Sequence, residues 1–233
     1  MASKPSKRYL QAAELVESGK TYSLAEAVAM IKKFPQPKFD ATVSISFKLG
    51  IDPRKSDQMV RGSVSLPHGT GKNVRVIVFA TGDAAKAAQD AGADEVGMEE
   101  LIKKVQDGFL DFDVAIATPD AMKEVRKIAR VLGPRGLMPN PKTGTVTDDT
   151  SKAVNASKAG KIDYKVDKNS CLAAAVAKVS FDEPKLAENA AAFIDSLVKA
   201  KPASAKGDYI QSATITCSMC PGIPLEPSLY AIN

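Results

Sequence analysis

The chain has 233 residues, 44% hydrophobic and 25% charged, which is enough apolar content for packed cores in two modest domains or one large one. No apolar run approaches the roughly 20 residues of a membrane helix, the start MASKPSKRYL has no apolar leader, and three cysteines do not make a disulfide framework, so a reducing cytoplasm is the expected setting. The net charge of +5 is localised: residues 1–67 hold 11 Lys and Arg against 6 Asp and Glu, while 68–159 (13 against 13) and 160–233 (8 against 8) balance, which points to a polyanion contact in the first segment.

Residues 1–10, with Lys4, Lys7 and Arg8, read as a frayed basic arm, followed by a short helix from Ala12 to Val16. Ser23 and Glu26 form a capping-box pattern, Leu24, Ala27, Val28 and Ile31 fall on one helix face, and Pro35 and Pro37 end the helix. In residues 41–49, Val43, Ile45, Phe47 and Leu49 alternate with Thr42, Ser44, Ser46 and Lys48. That is a half-buried strand whose other face is rich in hydroxyls. Asp52-Pro53 turns the chain, and Val60 to Leu66 alternates again.

After Pro67 to Gly71 the pattern changes. VRVIVFA (74–80) is almost continuously apolar, as is Val114 to Ala117, and both read as strands buried on two faces. Helical segments lie between and after them: DAAKAAQDAG, then Met98 to about Gln106, then one capped by Thr118 with Pro119 at its first position. Residues 132–146, LGPRGLMPNPKTGTV, hold three prolines and three glycines and form a shaped loop with basic Arg135 and Lys142. Thr147 is the expected cap of the next helix, which Gly160 ends.

Alternation returns from Lys161. Ile162, Tyr164 and Val166, then Cys171 to Phe181, read as a hairpin around Asp167–Ser170. A helix starts at Pro184, a last strand runs from Asp208 to Thr216, and Cys217 to Pro221 is a kinked exit. The simplest organisation is one domain built from 1–67 and 160–233, with a second inserted at 68–159; a single three-layer domain also satisfies the periodicity.

Catalytic patterns are weak. HGTGK at 68–72 lacks the glycine five positions before Gly71 and the Ser or Thr after Lys72 that a phosphate loop needs. With His68 as the one histidine, no nucleophile–base–orienter set is available. The Cys217–Cys220 spacing has no helix after it for redox chemistry, and only distant Cys171 and His68 could complete a zinc site, so no metal or cofactor is expected. A Rossmann-like nucleotide- or small-molecule-binding enzyme is the alternative reading. Lys38 and Phe39 ahead of the hydroxyl-rich strand favour RNA instead, since cations, hydroxyls and an aromatic plane suit phosphates, ribose and bases.

KFDATV (38–43), KLGIDPRKSDQMVRGSVSLPHGTGK (48–72), AGADEVG (91–97), DFDVAIATPDAM (111–122) and LGPRGLMPNPKTGTV together resemble the bacterial form of the universal family of large-subunit ribosomal protein "one", carried on the mobile stalk beside the tRNA exit site. The match runs from about Lys7 to Ile223. The resemblance implies an α/β protein: an α+β domain made by both termini, and an inserted three-layer α/β, Rossmann-like domain. It implies contact with the stalk helices of 23S-type rRNA and with exit-site tRNA, and repression of the protein's own operon mRNA. It implies no catalysis, small-molecule substrate or membrane.

By position, the resemblance assigns rRNA contacts to Lys38, Phe39, Thr42, Asp167, Lys168, Ser212, Thr216, Cys217, Ser218, Met219 and Cys220. Arg54, Arg61, Arg135 and Lys142 are further tRNA or phosphate candidates. Two departures stand out. The family turn reads Thr-Met-Gly-Pro where this chain has Ser218-Met219-Cys220-Pro221, so a Cβ cost arises at Cys220 if that position needs positive φ. Ala173, Ala175 and Ala177 replace the family's His, Pro and Gly.

Overall fold

The computed structural model describes residues 5–205 and 207–227, apart from the side chains of Ser56 and Lys142. In chain order the elements are α1 (Lys7–Glu14), α2 (Leu24–Lys33), β1 (Thr42–Leu49), β2 (Arg61–Ser65), β3 (Val76–Phe79), α3 (Asp83–Asp90), β4 (Glu95–Gly97), α4 (Glu99–Gln106), β5 (Val114–Ala117), α5 (Met122–Val125), α6 (Ala129–Leu132), α7 (Thr150–Lys158), β6 (Lys161–Lys165), β7 (Cys171–Lys178), α8 (Glu183–Lys199), β8 (Ile210–Cys217) and β9 (Ile223–Leu225). The chain divides into two compact units, residues 1–71 with 162–233, and residues 72–161.

The discontinuous unit is an antiparallel sheet in the order β7-β1-β8-β9. Strict alternation in β1 buries Val43, Ile45, Phe47 and Leu49. Ala213, Ile215 and Cys217 of β8 and Leu172 and Val176 of β7 join the same core. The long helix α8 and the shorter α2 cover that face, sending in Leu186, Ala190, Phe193, Ile194 and Leu197, and Ala27, Val28 and Ile31. Phe193 meets Phe47 at 6.0 Å and takes the edge of Tyr164 at 5.5 Å, which binds the small β2–β6 ribbon to α8. The capping box of α2 is complete: the Glu26 carboxylate accepts the Ser23 N–H at 3.0 Å and the Ser23 hydroxyl accepts the Glu26 N–H.

The inserted unit is a parallel sheet in the order β4-β3-β5 with helices on both faces. Ile77, Phe79, Ala115 and Ala117 face one layer with Leu101, Ile102, Val105, Val125, Ile128 and Leu132. Val76, Val78 and Ile116 face the other with Ala88 and Val154. All four residues of β3 are buried, which explains the unbroken apolar run. The fold is thus α/β, with an α+β sheet unit and a three-layer unit.

Several local expectations are corrected. Lys7 and Arg8 are not part of a frayed arm: Ser6 caps α1, accepting the Tyr9 N–H, while Lys4 lies outside the described residues. Asp149, not Thr147, caps α7 by accepting the Lys152 N–H. Thr118 accepts the Ala121 N–H, but the helix it was expected to open begins at Met122 and is broken by a 3-10 turn at Arg126–Ile128. Residues 161–181 are not a paired hairpin, because β6 pairs with β2 and β7 with β1; bonds within Asp167–Cys171, among them the Asp167 N–H to Cys171 carbonyl bond, close the turn between them. β9, after the exit turn, was not anticipated.

Candidate nucleic-acid interface

The face of the sheet opposite α2 and α8 carries the polar half of β1 and β8. The register sets Ser44 beside Thr216, Ser46 beside Thr214 and Lys48 beside Ser212. On the other flank the same residues meet Ala175, Ala173 and Cys171, and Thr42 meets Lys178. Lys48, Ser212, Ala173 and Ala175 are exposed and the remaining hydroxyls are half-buried. The result is a strip of hydroxyls with small neighbours, ended by cations. Such a surface admits a sugar–phosphate backbone closely and offers it donors at rigid positions.

At one end of the strip the termini of β1 and β8 are bound to each other. The Ser218 hydroxyl accepts the Thr42 N–H at 3.2 Å and reaches the Thr42 carbonyl at 3.3 Å, while the Ser218 N–H donates to the same carbonyl at 3.0 Å. The Thr216 hydroxyl turns back on the carbonyls of Cys220 and Pro221 at 3.3 Å each. The Lys178 ammonium donates to the Thr42 hydroxyl at 2.8 Å, and Asp40 accepts the Ser180 hydroxyl at 2.8 Å. The turn leaves Met219 68% exposed, and Phe39, three residues ahead of Thr42, is 53% exposed. These two apolar groups flank a hydrogen-bonded junction, and Lys38 beside Phe39 is exposed.

Residue Met219, not Cys220, takes the left-handed conformation, at φ 65°, and Cys220 is absent from the positive-φ residues. The cysteine therefore replaces the family glycine without the left-handed cost. The strain sits one residue earlier, at about 1–2 kcal/mol for a non-glycine residue in that region.

The remaining rRNA candidates lie at the other end of β1, about 24 Å away for a strand of this length. Ser212 pairs with Lys48, and the Asp167–Ser170 turn leads into β7 at Cys171, also opposite Lys48. The Asp167 carboxylate accepts the N–H groups of Asn169 and Cys171 at 2.8 Å each, so it shapes the turn that exposes Lys168. Ser170, at φ 62°, donates to the Ile51 carbonyl and ties this turn to the end of β1. Arg54 and Arg61 are exposed beyond β1 and at the start of β2. The sequence candidates thus form two poles of one strip. Lys48, Lys178 and Thr214 between and beside them were missed as site members; Thr214 carried a signal, since it lies two residues before Thr216.

The glycine- and proline-rich loop belongs to the inserted unit. Leu132 and Pro139 are buried, Leu137 and Met138 pack on the core, and the Asn140 carbonyl accepts the hydroxyls of Thr143 and Thr145 and the Thr145 N–H. Val146 then runs alongside Ala117 in a parallel bridge, extending the sheet edge. Arg135 is exposed at the loop tip; the Lys142 side chain lies outside the described residues.

Other sequence motifs have structural roles. His68 to Gly71 is a tethered linker: the His68 N–H donates to the buried Asn189 amide oxygen at 3.1 Å, and the Asn189 amide nitrogen donates to the carbonyls of Gly69 and Val176. Burial, then a hydrogen bond with Cys220, push the Cys217 thiol up to about 12, which leaves it a thiol at neutral pH. Among the described residues no group of three His, Cys, Asp or Glu could hold a metal ion. No described helix is long and apolar enough to cross a membrane.

Comparison with known proteins agrees with the sequence resemblance. The family model described as "Ribosomal protein L1p/L10e family" matches residues 31–221. The chain is 57% identical over 225 residues to "Large ribosomal subunit protein uL1" of Saccharopolyspora erythraea, covering 97% of this chain and 94% of the relative. It is 57% identical over 227 residues to the protein of the same name from Mycolicibacterium smegmatis, covering 97% of both. A third relative, from Mycolicibacterium vanbaalenii, is 56% identical over 227 residues. With most of its length matched by the family and more than half its residues shared with these relatives, the chain belongs to the ribosomal protein L1p/L10e family, whose members are structural ribosomal proteins and not enzymes.

Proposed function

We propose that this large-subunit ribosomal protein holds the stalk helices of 23S-type rRNA against the open face of its discontinuous unit. The carrying observation is the hydroxyl strip of β1 and β8, closed at one end by the Ser218–Thr42 junction with Phe39 and Met219 standing out from it. Lys38, Lys48, Lys168 and Lys178 would attract the backbone, the hydroxyls would bond ribose and phosphate, and Phe39 and Met219 would pack on bases or sugars. Thr42, Asp167, Thr216, Ser218, Cys217 and Cys220 act by holding this surface rigid. A surface ordered before binding loses less entropy when RNA arrives.

Two further partners fit the same reading. Exit-site tRNA would meet Arg135 and Lys142 of the inserted unit, or Arg54 and Arg61. The chain's own operon mRNA would act as repressor target by imitating the rRNA site on the open face. The working compartment is the cytoplasm. Titration of the chain with a stalk rRNA fragment tests the main claim. Affinity should fall with salt on a logarithmic plot with a slope near −0.7 to −0.9 per phosphate neutralised; a flat dependence contradicts it. Competition by operon leader RNA but not by unrelated duplex supports repression, and its failure removes that partner.

A further inference from the structure

We propose that Cys217 and Cys220 form a modification site, a thiol pair that a disulfide-class oxidant such as glutathione disulfide converts into an intrachain disulfide, reshaping the turn that presents Met219.

The turn supplies the geometry. The Cys220 N–H donates to the Cys217 carbonyl at 3.0 Å, closing residues 217–220 as an i to i+3 turn. Such a turn brings its end Cα atoms within about 7 Å, and a disulfide needs roughly 4.4–6.8 Å. Both residues are free thiols; Cys217 is buried in the sheet core, and Cys220, half-buried, packs against the same core. The third cysteine, Cys171, lies opposite Lys48 at the far end of β1 and serves as an internal control.

The more accessible sulfur reacts first. The Cys220 thiolate attacks one sulfur of glutathione disulfide, forming a mixed disulfide and expelling one glutathione thiolate. Cys217 then loses its proton to solvent and attacks the Cys220 sulfur, forming the intrachain bond and expelling the second glutathione. Two protein thiols are oxidised and one glutathione disulfide is reduced to two glutathione molecules. Because burial holds the Cys217 thiol protonated, the second step is the slow one and quickens as pH rises.

Bond formation adds a covalent link between the two residues and draws Cys220 toward the core that it already packs against. Ser218 and Met219 are the two residues enclosed. Met219 already sits at φ 65°, and Ser218 is bound to Thr42, so the enclosed backbone has little freedom to absorb the change. The consequence for RNA rests on the RNA-binding reading of this face.

The test uses the full chain with glutathione disulfide, then alkylation and mass spectrometry of all three cysteines. The expected result is joint loss of the Cys217 and Cys220 thiols with no retained glutathione, reversed by dithiothreitol. Cys217→Ser should trap a stable glutathione adduct on Cys220, and Cys220→Gly should form neither. A wild-type chain that keeps glutathione on Cys220 with Cys217 free, or that does not react, overturns the proposal. Oxidised chain should bind the stalk rRNA fragment about tenfold more weakly than reduced chain, the scale of one lost specific contact. Equal affinity of the two forms overturns the reshaping. If the reduced chain does not bind, the RNA-binding reading falls, and the mass data still decide the thiol pair.

Discussion

At residue scale, Met219 and Ser218 are neighbours with opposite duties. Met219 is exposed and strained, whereas the Ser218 hydroxyl is turned onto the backbone of Thr42. Met219→Ala should therefore weaken binding of a stalk rRNA fragment by roughly 1–3 kcal/mol, with thermal stability little changed. Met219→Gly should raise stability, by relieving about 1 kcal/mol of left-handed strain, while losing the same affinity. Ser218→Ala should lower both, because the junction between β1 and β8 loosens before RNA arrives. Calorimetry of the three variants beside RNA titration separates the contact from its support. Asn189 is a wholly structural counterpart: buried, with bonds to His68, Gly69 and Val176, its change to Ala should cost roughly 1–3 kcal/mol in chemical unfolding.

Elements show where physical pattern suffices and where it does not. β1 was legible because period-two alternation assigns each side chain to a face whatever the strand's partners are. The capping box of α2 is likewise local, and the unbroken apolar runs of β3 and β5 follow from burial on both faces. Partner choice was not local. β6 and β7 lie six residues apart in sequence yet join different sheets, because β7 completes the sheet core over α8 while Tyr164 of β6 packs against Phe193. The φ of Met219 was hidden for a similar reason: the turn is set by Thr216 and Ser218 bonding to backbone, not by a residue type that favours the left-handed region. The split of the site candidates between two ends of β1 needed the register.

In the inserted unit, Asp113 joins the starts of β3 and β5. Burial pushes its carboxyl up, but the Lys72 ammonium, the Arg75 N–H and both their charges more than offset this and hold it below the ordinary carboxylate value. A depressed folded value stabilises above the unfolded value, near pH 4, and that stability is lost as pH falls through the folded value. Acid unfolding followed by a probe in residues 72–161 should show this loss below about pH 4, and Asp113→Asn should flatten it. An unchanged acid profile in the variant would remove Asp113 from the account.

For the whole molecule, the charge distribution and the fold assign separate work to the two units. The excess positive charge of residues 1–67 lies in the unit that also carries the hydroxyl strip, while the inserted segment is balanced. The central claim is that one face of one sheet, and not general basicity, holds rRNA. It is tested most directly by two charge reversals of equal size on opposite sides of that sheet. Lys48→Glu alters the open strip, and Lys33→Glu alters an exposed position of α2, the helix on the covered face. In titrations with a stalk rRNA fragment, Lys48→Glu should weaken binding at least about tenfold and reduce the salt slope by about 1, while Lys33→Glu leaves both near the wild-type values. Equal losses from the two reversals, or a greater loss from Lys33→Glu, would contradict the account.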